Sequence, residues 1–249
     1  MDTYNLIMQQ GGYFVQPKVV VSFKGTPEKL LSGITCNTLD KPQNAFLDRF
    51  GKLIVLVDQF HGLDVMYHAF SEKYQMQFLE HLQKFLRLSP TTMSLTSLKV
   101  IHCIGGKQKL EGEYKLPQSM GCYVLQKNLP ELKEIPAELY ETFRIESGIP
   151  LQGKDFDQPM FLDIGIDAVS FTKGCYLGQE VIARVDSRGK PLRKLIRILY
   201  DKLPEKVTLQ GKVVGSISSS CFSQKHGKYL CFAFISDYDK KIDDGELLL

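Results

Sequence analysis

The sequence predicts an α+β protein in which a ferredoxin-like split βαβ body precedes a C-terminal antiparallel β-barrel. Three observations carry this expectation. Extended and helical patterns follow the order β-α-β-β-α-β between Val19 and Ile104, the order of a split βαβ unit. Tyr74, Phe78, Leu82 and Phe85 recur at the spacing of one helix face. Beyond Pro191 the texture changes to short β-like runs broken by turns, as in small barrels.

The elements follow in order. Val19 to Phe23 reads as a strand, and Thr26-Pro27 as the cap and first residue of a helix through Leu31. Leu53 to Phe60 is a β-branched run, and His61-Gly62 turns it into a second strand, Val65 to Phe70. Ser71 is the expected cap of the helix carrying Phe78, and Met93 to Ile104 returns as one strand. Lys107 to Lys115 reads as a polar loop or hairpin, and Cys122 to Gln126 as a strand. Glu138 to Ser147 forms a short helix stopped by Gly148. Leu195 to Tyr200, Lys206 to Val214, Gly215 to Phe222 and Lys228 to Ile235 make the C-terminal β-region. The division falls near Gly189-Lys190-Pro191, giving a body of residues 1–189 and a barrel of residues 190–249.

With 249 residues, 43% hydrophobic and 24% charged, the chain has the composition of a globular protein with a sizeable core. A net charge of +3 does not mark a general nucleic-acid binder. The six cysteines contain no C-x-x-C pair, which argues against a zinc site. No signal-peptide pattern or membrane-length apolar run is present. The expected compartment is therefore a reducing cytoplasm, with free thiols and no membrane contact.

The chemistry concentrates in Lys173-Gly174-Cys175-Tyr176-Leu177-Gly178-Gln179-Glu180, with an apolar stripe of Val181, Ile182 and Val185 behind it. A lysine and a helix entrance both lower a thiol's pKa, so Cys175 is a candidate working thiol. The competing reading is an inert buried cysteine flanked by turn glycines. Together with Phe171-Thr172 and Ala183-Arg184, the segment resembles the signature of the YgfZ family. These are folate-binding proteins related to the glycine-cleavage T-protein, and they include a mitochondrial iron–sulfur assembly factor. The resemblance runs from about Phe23 to the C-terminus, and implies an α+β body with a C-terminal barrel.

It also implies a set of site residues. Arg144-Ile145-Glu146-Ser147-Gly148, with Gly153 and Asp155 after it, resembles a landmark whose glutamate faces the folate pterin. Glu146 is thus the expected pterin anchor beside Arg144, because a carboxylate accepts two parallel N–H bonds. Thr35-Cys36-Asn37-Thr38 and Gly51-Lys52 resemble a further landmark and make Asn37 a pocket candidate. Tyr176, Gly178, Gln179, Glu180 and Arg184 complete the expected folate-binding set, with Cys175 and Lys173 as the chemical pair. Residues alone also allow Arg144 and Glu146 to be solvated charges at a helix end. The basic run Arg184, Arg188, Lys190, Arg193, Lys194 and Arg197 suits a polyglutamate tail, an RNA phosphate or a solvated edge.

The resemblance thus implies a tetrahydrofolate-binding accessory protein serving iron–sulfur client proteins and tRNA modification. Two alternatives stand beside it: a cysteine-dependent folate enzyme and a tRNA-associated scaffold. Aminomethyl transfer is not expected. The T-protein carries acids after its glycine turn, whereas Leu53 to Val57 is apolar until Asp58.

Overall fold

The computed structural model describes residues 2–106, 114–189, 191–236 and 238–248. Lys190 and residues 107–113 of the expected hairpin lie outside the described residues. The chain runs α1 (Thr3–Gln10), β1 (Gly12–Val15), β2 (Lys18–Lys24), α2 (Pro27–Ile34), β3 (Gln43–Leu47), β4 (Leu53–His61) and β5 (Met66–Ser71). It continues through α3 (Gln75–Leu86), β6 (Thr92–Leu95), β7 (Lys99–Ile104), β8 (Tyr114–Pro117), β9 (Cys122–Gln126), β10 (Lys133–Glu134) and α4 (Ala137–Glu146). The remainder is α5 (Gln179–Ser187), β11 (Arg193–Tyr200), β12 (Val207–Leu209), β13 (Lys212–Ser223), β14 (Lys228–Ser236) and β15 (Gly245–Leu248).

These strands build three five-stranded sheets. Their orders are β3-β4-β5-β2-β6, β10-β1-β7-β9-β8 and β12-β13-β14-β11-β15. The first is antiparallel throughout. The second starts with the N-terminal strand and resumes only after β6, so the first two sheets are interleaved along the chain.

Local chemistry explains most boundaries. Pro27 opens α2 with its fixed φ. Tyr74, Phe78 and Leu82 face the core as their spacing requires. Gly148, at φ +71°, ends α4, and Ile149 N donates to Arg144 O at 2.9 Å. Neither Thr26 nor Ser71 makes the expected side-chain cap. A 3-10 turn over Glu72–Tyr74 starts α3 instead.

The single strand expected over Met93 to Ile104 is divided. Thr96 Oγ1 donates to Val20 O at 3.2 Å and accepts from Leu98 N at 3.2 Å. This side-chain turn breaks the ladder, placing β6 and β7 in different sheets. The division expected between Val214 and Gly215 is absent, because both lie in β13. At Gly215 a Cβ would meet Phe234 O at 2.3 Å, beside a bulge near Ile217. The expected C-terminal barrel is a five-stranded antiparallel sheet with β12 and β15 at its edges. Asp243 N donates to Thr208 O at 2.9 Å, but among the described residues no ladder joins the two edges.

The body and the C-terminal sheet share one core. Cys36, Leu47, Phe161, Tyr176, Ile182, Leu195 and Phe232 form a continuous buried cluster. Among the described residues no helix is long and apolar enough to cross a membrane.

Candidate ligand-binding cleft

An open cleft of about 680 Å³ lies between the body and the C-terminal sheet. Its walls come from Pro117–Ser119, the turn Ser147–Pro150 after α4, Ile164–Ile166, and Lys194–Arg197 on β11. Among the described residues, Lys194 and Arg197 are its charged side chains and no acid lines it. Two glycines seat these cations. A Cβ on Gly148 would sit 3.1 Å from the Arg197 Cζ, and one on Gly165 2.8 Å from the Lys194 Cε. Arg197 also donates to Glu146 O at 2.9 Å.

Gln43, Ile149 and Pro150 also wall an inner recess of about 60 Å³. Gln16, Lys18, Asp58 and Tyr123 line this recess. Asp58 is paired with Lys18 and accepts from Gln43 Nε2 at 3.1 Å. The Lys18 ammonium lies 4.9 Å from the centre of the Tyr123 ring. Tyr123 Oη and both amide atoms of Gln16 are buried without a hydrogen bond of ordinary geometry. The Tyr140 hydroxyl, which also bonds His102 Nδ1 at 2.9 Å, is their polar neighbour and interacts with both. Burial and then Asp58 push the Tyr123 hydroxyl well above its ordinary pKa, so it is a neutral donor. Neutral polar groups at the end of a cleft fit a bound polar edge.

The residues expected from the sequence lie mostly elsewhere. Cys175 is exposed, as a working thiol requires, but it is not part of the cleft wall. Its expected activators are otherwise occupied or displaced. Lys173 Nζ donates to Thr35 O and Asn37 O at 2.7 Å each. Helix α5 begins at Gln179, four residues beyond the thiol. Gly178 serves packing: its Cβ would meet Asp48 O at 2.5 Å, so the α5 entrance docks on the Asp48–Gly51 turn. Tyr176 is buried in the shared core. Gln179 opens α5, its N donating to Tyr176 O at 3.2 Å. Glu180 and Arg184 form an exposed pair at 2.9 Å, worth little.

Glu146, expected to anchor a pterin, has both oxygens occupied. Tyr4 Oη and Ser223 Oγ each donate to it at 2.6 Å, joined by Lys225 N at 3.3 Å. Arg144 is fully buried and bonds Glu141, Asp155, Ser219 and Ile149 O. Both charges tie α4 to its surroundings rather than facing the cleft. The reason is orientation: the last turn of α4 is turned inward against β13 and β14. Asn37 is also satisfied internally, donating to Gln43 O at 3.0 Å and accepting from Thr38 N at 2.9 Å. Of the basic run, Lys194 and Arg197 reach the cleft, while Arg184 and Arg188 are exposed on and after α5.

Sequence reasoning missed Gln16, Lys18, Gln43 and Tyr123. The one available signal was Asp58, an acid interrupting the apolar run of β4.

Among the described residues no group of three or more His, Cys, Asp or Glu could hold a metal ion. No family model matches the chain. An uncharacterised protein of Haemophilus influenzae is 28% identical over 125 residues, which are 47% of this chain and 45% of that relative. The match therefore spans less than half of the relative's length. The crystal structure of glycine cleavage system aminomethyltransferase T from Bartonella henselae superposes with a TM-score of 0.80 at 11% identity. That superposition covers 99% of this chain and 84% of the other. The chain therefore has the mixed α/β fold of aminomethyltransferase T.

Proposed function

We propose that this chain binds a reduced folate, with the ligand's heterocycle in the recess and its acidic tail toward Lys194 and Arg197. The supporting observation is one cleft with two cations and, among the described residues, no acid in its outer walls, leading to a recess walled by the neutral polar side chains of Gln16 and Tyr123. A pterin edge offers N–H donors and a carbonyl acceptor, which the Gln16 amide and Tyr123 hydroxyl complement. The aminomethyltransferase fold supports this ligand class. Calorimetric titration with tetrahydrofolate should show one saturable site, and Lys194→Ala should reduce any preference for polyglutamylated over monoglutamyl ligand. Absence of binding would refute the reading.

In this reading residues 1–189 form the folate-binding body and 190–249 the C-terminal unit, and strands β4-β5-β2-β6 constitute the split βαβ element. Asp58, the recess acid, is held by Lys18, consistent with binding rather than aminomethyl transfer. Cys175 supplies the second half of the YgfZ-like reading: an accessible thiol for iron–sulfur client proteins, cysteine sulfur being the usual cluster ligand. Its exposure supports this, and a single cysteine requires a partner for any cluster. The other thiols favour the protonated state. Burial pushes Cys36, Cys103, Cys221 and Cys231 up to about 12, and raises Cys122. A disulfide reagent at neutral pH should therefore label Cys175 first and stoichiometrically, as read by peptide mass. Faster labelling of any other cysteine would contradict the assignment.

A further inference from the structure

The recess holds one feature that binding alone does not explain. Asp58, the acid in its wall, has one oxygen taken by Lys18 and the other by Gln43. Lys18 is itself largely buried, 14% exposed at the side chain against 2% for Asp58. It is pinned between that carboxylate and the Tyr123 ring. A recess of about 60 Å³ admits only the edge of a ring, and that edge would lie against these side chains. The wall around it carries the neutral polar side chains of Gln16 and Tyr123. The edge finds no unpaired carboxylate.

We propose that Lys18 is a specificity-determining residue: by holding Asp58 it makes the recess select a neutral donor–acceptor heterocycle edge over a protonated, amidinium-like one. The identity of the occupant rests on the folate reading; the charge selection rests on the Lys18–Asp58 pair. A cationic edge needs a carboxylate that is free to pair with it, and its burial beside a lysine ammonium without one is strongly unfavourable. A neutral edge incurs no such cost. Removing the lysine charge exposes Asp58 and reverses the balance. Specificity of this kind comes from a repulsive element as much as from an attractive one.

Two ligands separate the cases. Folic acid carries an oxo group at the position where its analogue aminopterin carries an amino group, and the diamino ring is the more basic. The wild-type chain should bind folic acid at least tenfold more tightly than aminopterin. Lys18→Met should shift the ratio of dissociation constants by tenfold or more toward aminopterin. The double variant Lys18→Met/Asp58→Asn should restore the wild-type preference. Lys18→Gln keeps a hydrogen bond to Asp58 without the charge and must shift the ratio in the same direction, which covers the case in which Lys18→Met does not fold. Thermal melts establish the folded state of each variant. A ratio within twofold of wild type in folded Lys18→Met or Lys18→Gln overturns the charge selection while leaving the folate site intact. If wild type binds tetrahydrofolate but neither of these two ligands, the charge selection is overturned; if it binds none of the three, the folate reading falls and this inference with it.

Discussion

Arg144→Ala will lower the unfolding free energy by about 3–5 kcal/mol, the range for removing one partner of a buried ion pair. Arg144 is 0% exposed, as is the Asp155 side chain it meets at 2.7 Å. Its guanidinium also bonds Glu141, Ser219 and Ile149 O. Burial alone would lower the arginine's pKa; Glu141 and Asp155 outweigh that and raise it. Deleting the side chain leaves Asp155 with Ser218, Ser219 and Leu151 N as donors but no counter-charge. The loss falls on the joint between α4 and β13, so the C-terminal sheet should detach at lower urea than the body. Arg144→Lys should recover only part of the loss, because an ammonium cannot reproduce the fork that reaches four partners. A change below about 1 kcal/mol in urea denaturation would contradict the assigned role.

Acidification will destabilise the fold well before its carboxylates are neutralised. Burial pushes His68 down to about 3 and His102 down to about 4. Both histidines are therefore neutral when folded, while the unfolded chain protonates them near pH 6.5. The sign follows: the unfolded state binds more protons, so stability is fully present above about pH 6.5. It is lost as pH falls toward 4 for His102 and toward 3 for His68. At about 1.4 kcal/mol per pH unit for each histidine, the combined loss between pH 6.5 and 4 is on the order of 5 kcal/mol. His68 tests this cleanly. Among the described residues neither ring nitrogen has a partner, and the ring packs edge-on against Phe23 and Phe46. His68→Leu should leave neutral-pH stability unchanged or raised by about 1–2 kcal/mol, and should reduce the acid slope by about half. An unchanged slope in chemical denaturation from pH 7 to 4 would contradict the assignment.

What was legible in the sequence was local. The spacing of Tyr74, Phe78 and Leu82, the Gly148 stop and the β-branched run of β4 each express a rule contained within one element. The exposure of Cys175 also agrees with its glycine-rich setting. The recess was not legible, because it assembles Gln16, Lys18, Gln43, Asp58 and Tyr123 from five strand or loop positions in two sheets. Apart from Asp58, which interrupts the apolar run of β4, none of these residues is unusual where it stands. Glu146 and Arg144 mislead for a related reason. Two charges at a helix end suit a pocket or a solvated surface equally well, and only the packing of α4 on β13 and β14 buries both. Lys173 beside Cys175 suggests activation, yet its side chain spans to the carbonyls of Thr35 and Asn37. Adjacency in sequence fixed neither direction nor partner.

The most direct test is calorimetric titration of tetrahydrofolate into wild type, Tyr123→Phe and Cys175→Ser. The account predicts one site in the wild type, affinity about tenfold weaker in Tyr123→Phe through loss of roughly 1.4 kcal/mol, and unchanged affinity in Cys175→Ser. Binding that survives Tyr123→Phe intact but disappears in Cys175→Ser would contradict it, because the ligand would then sit at the exposed thiol loop and not in the cleft.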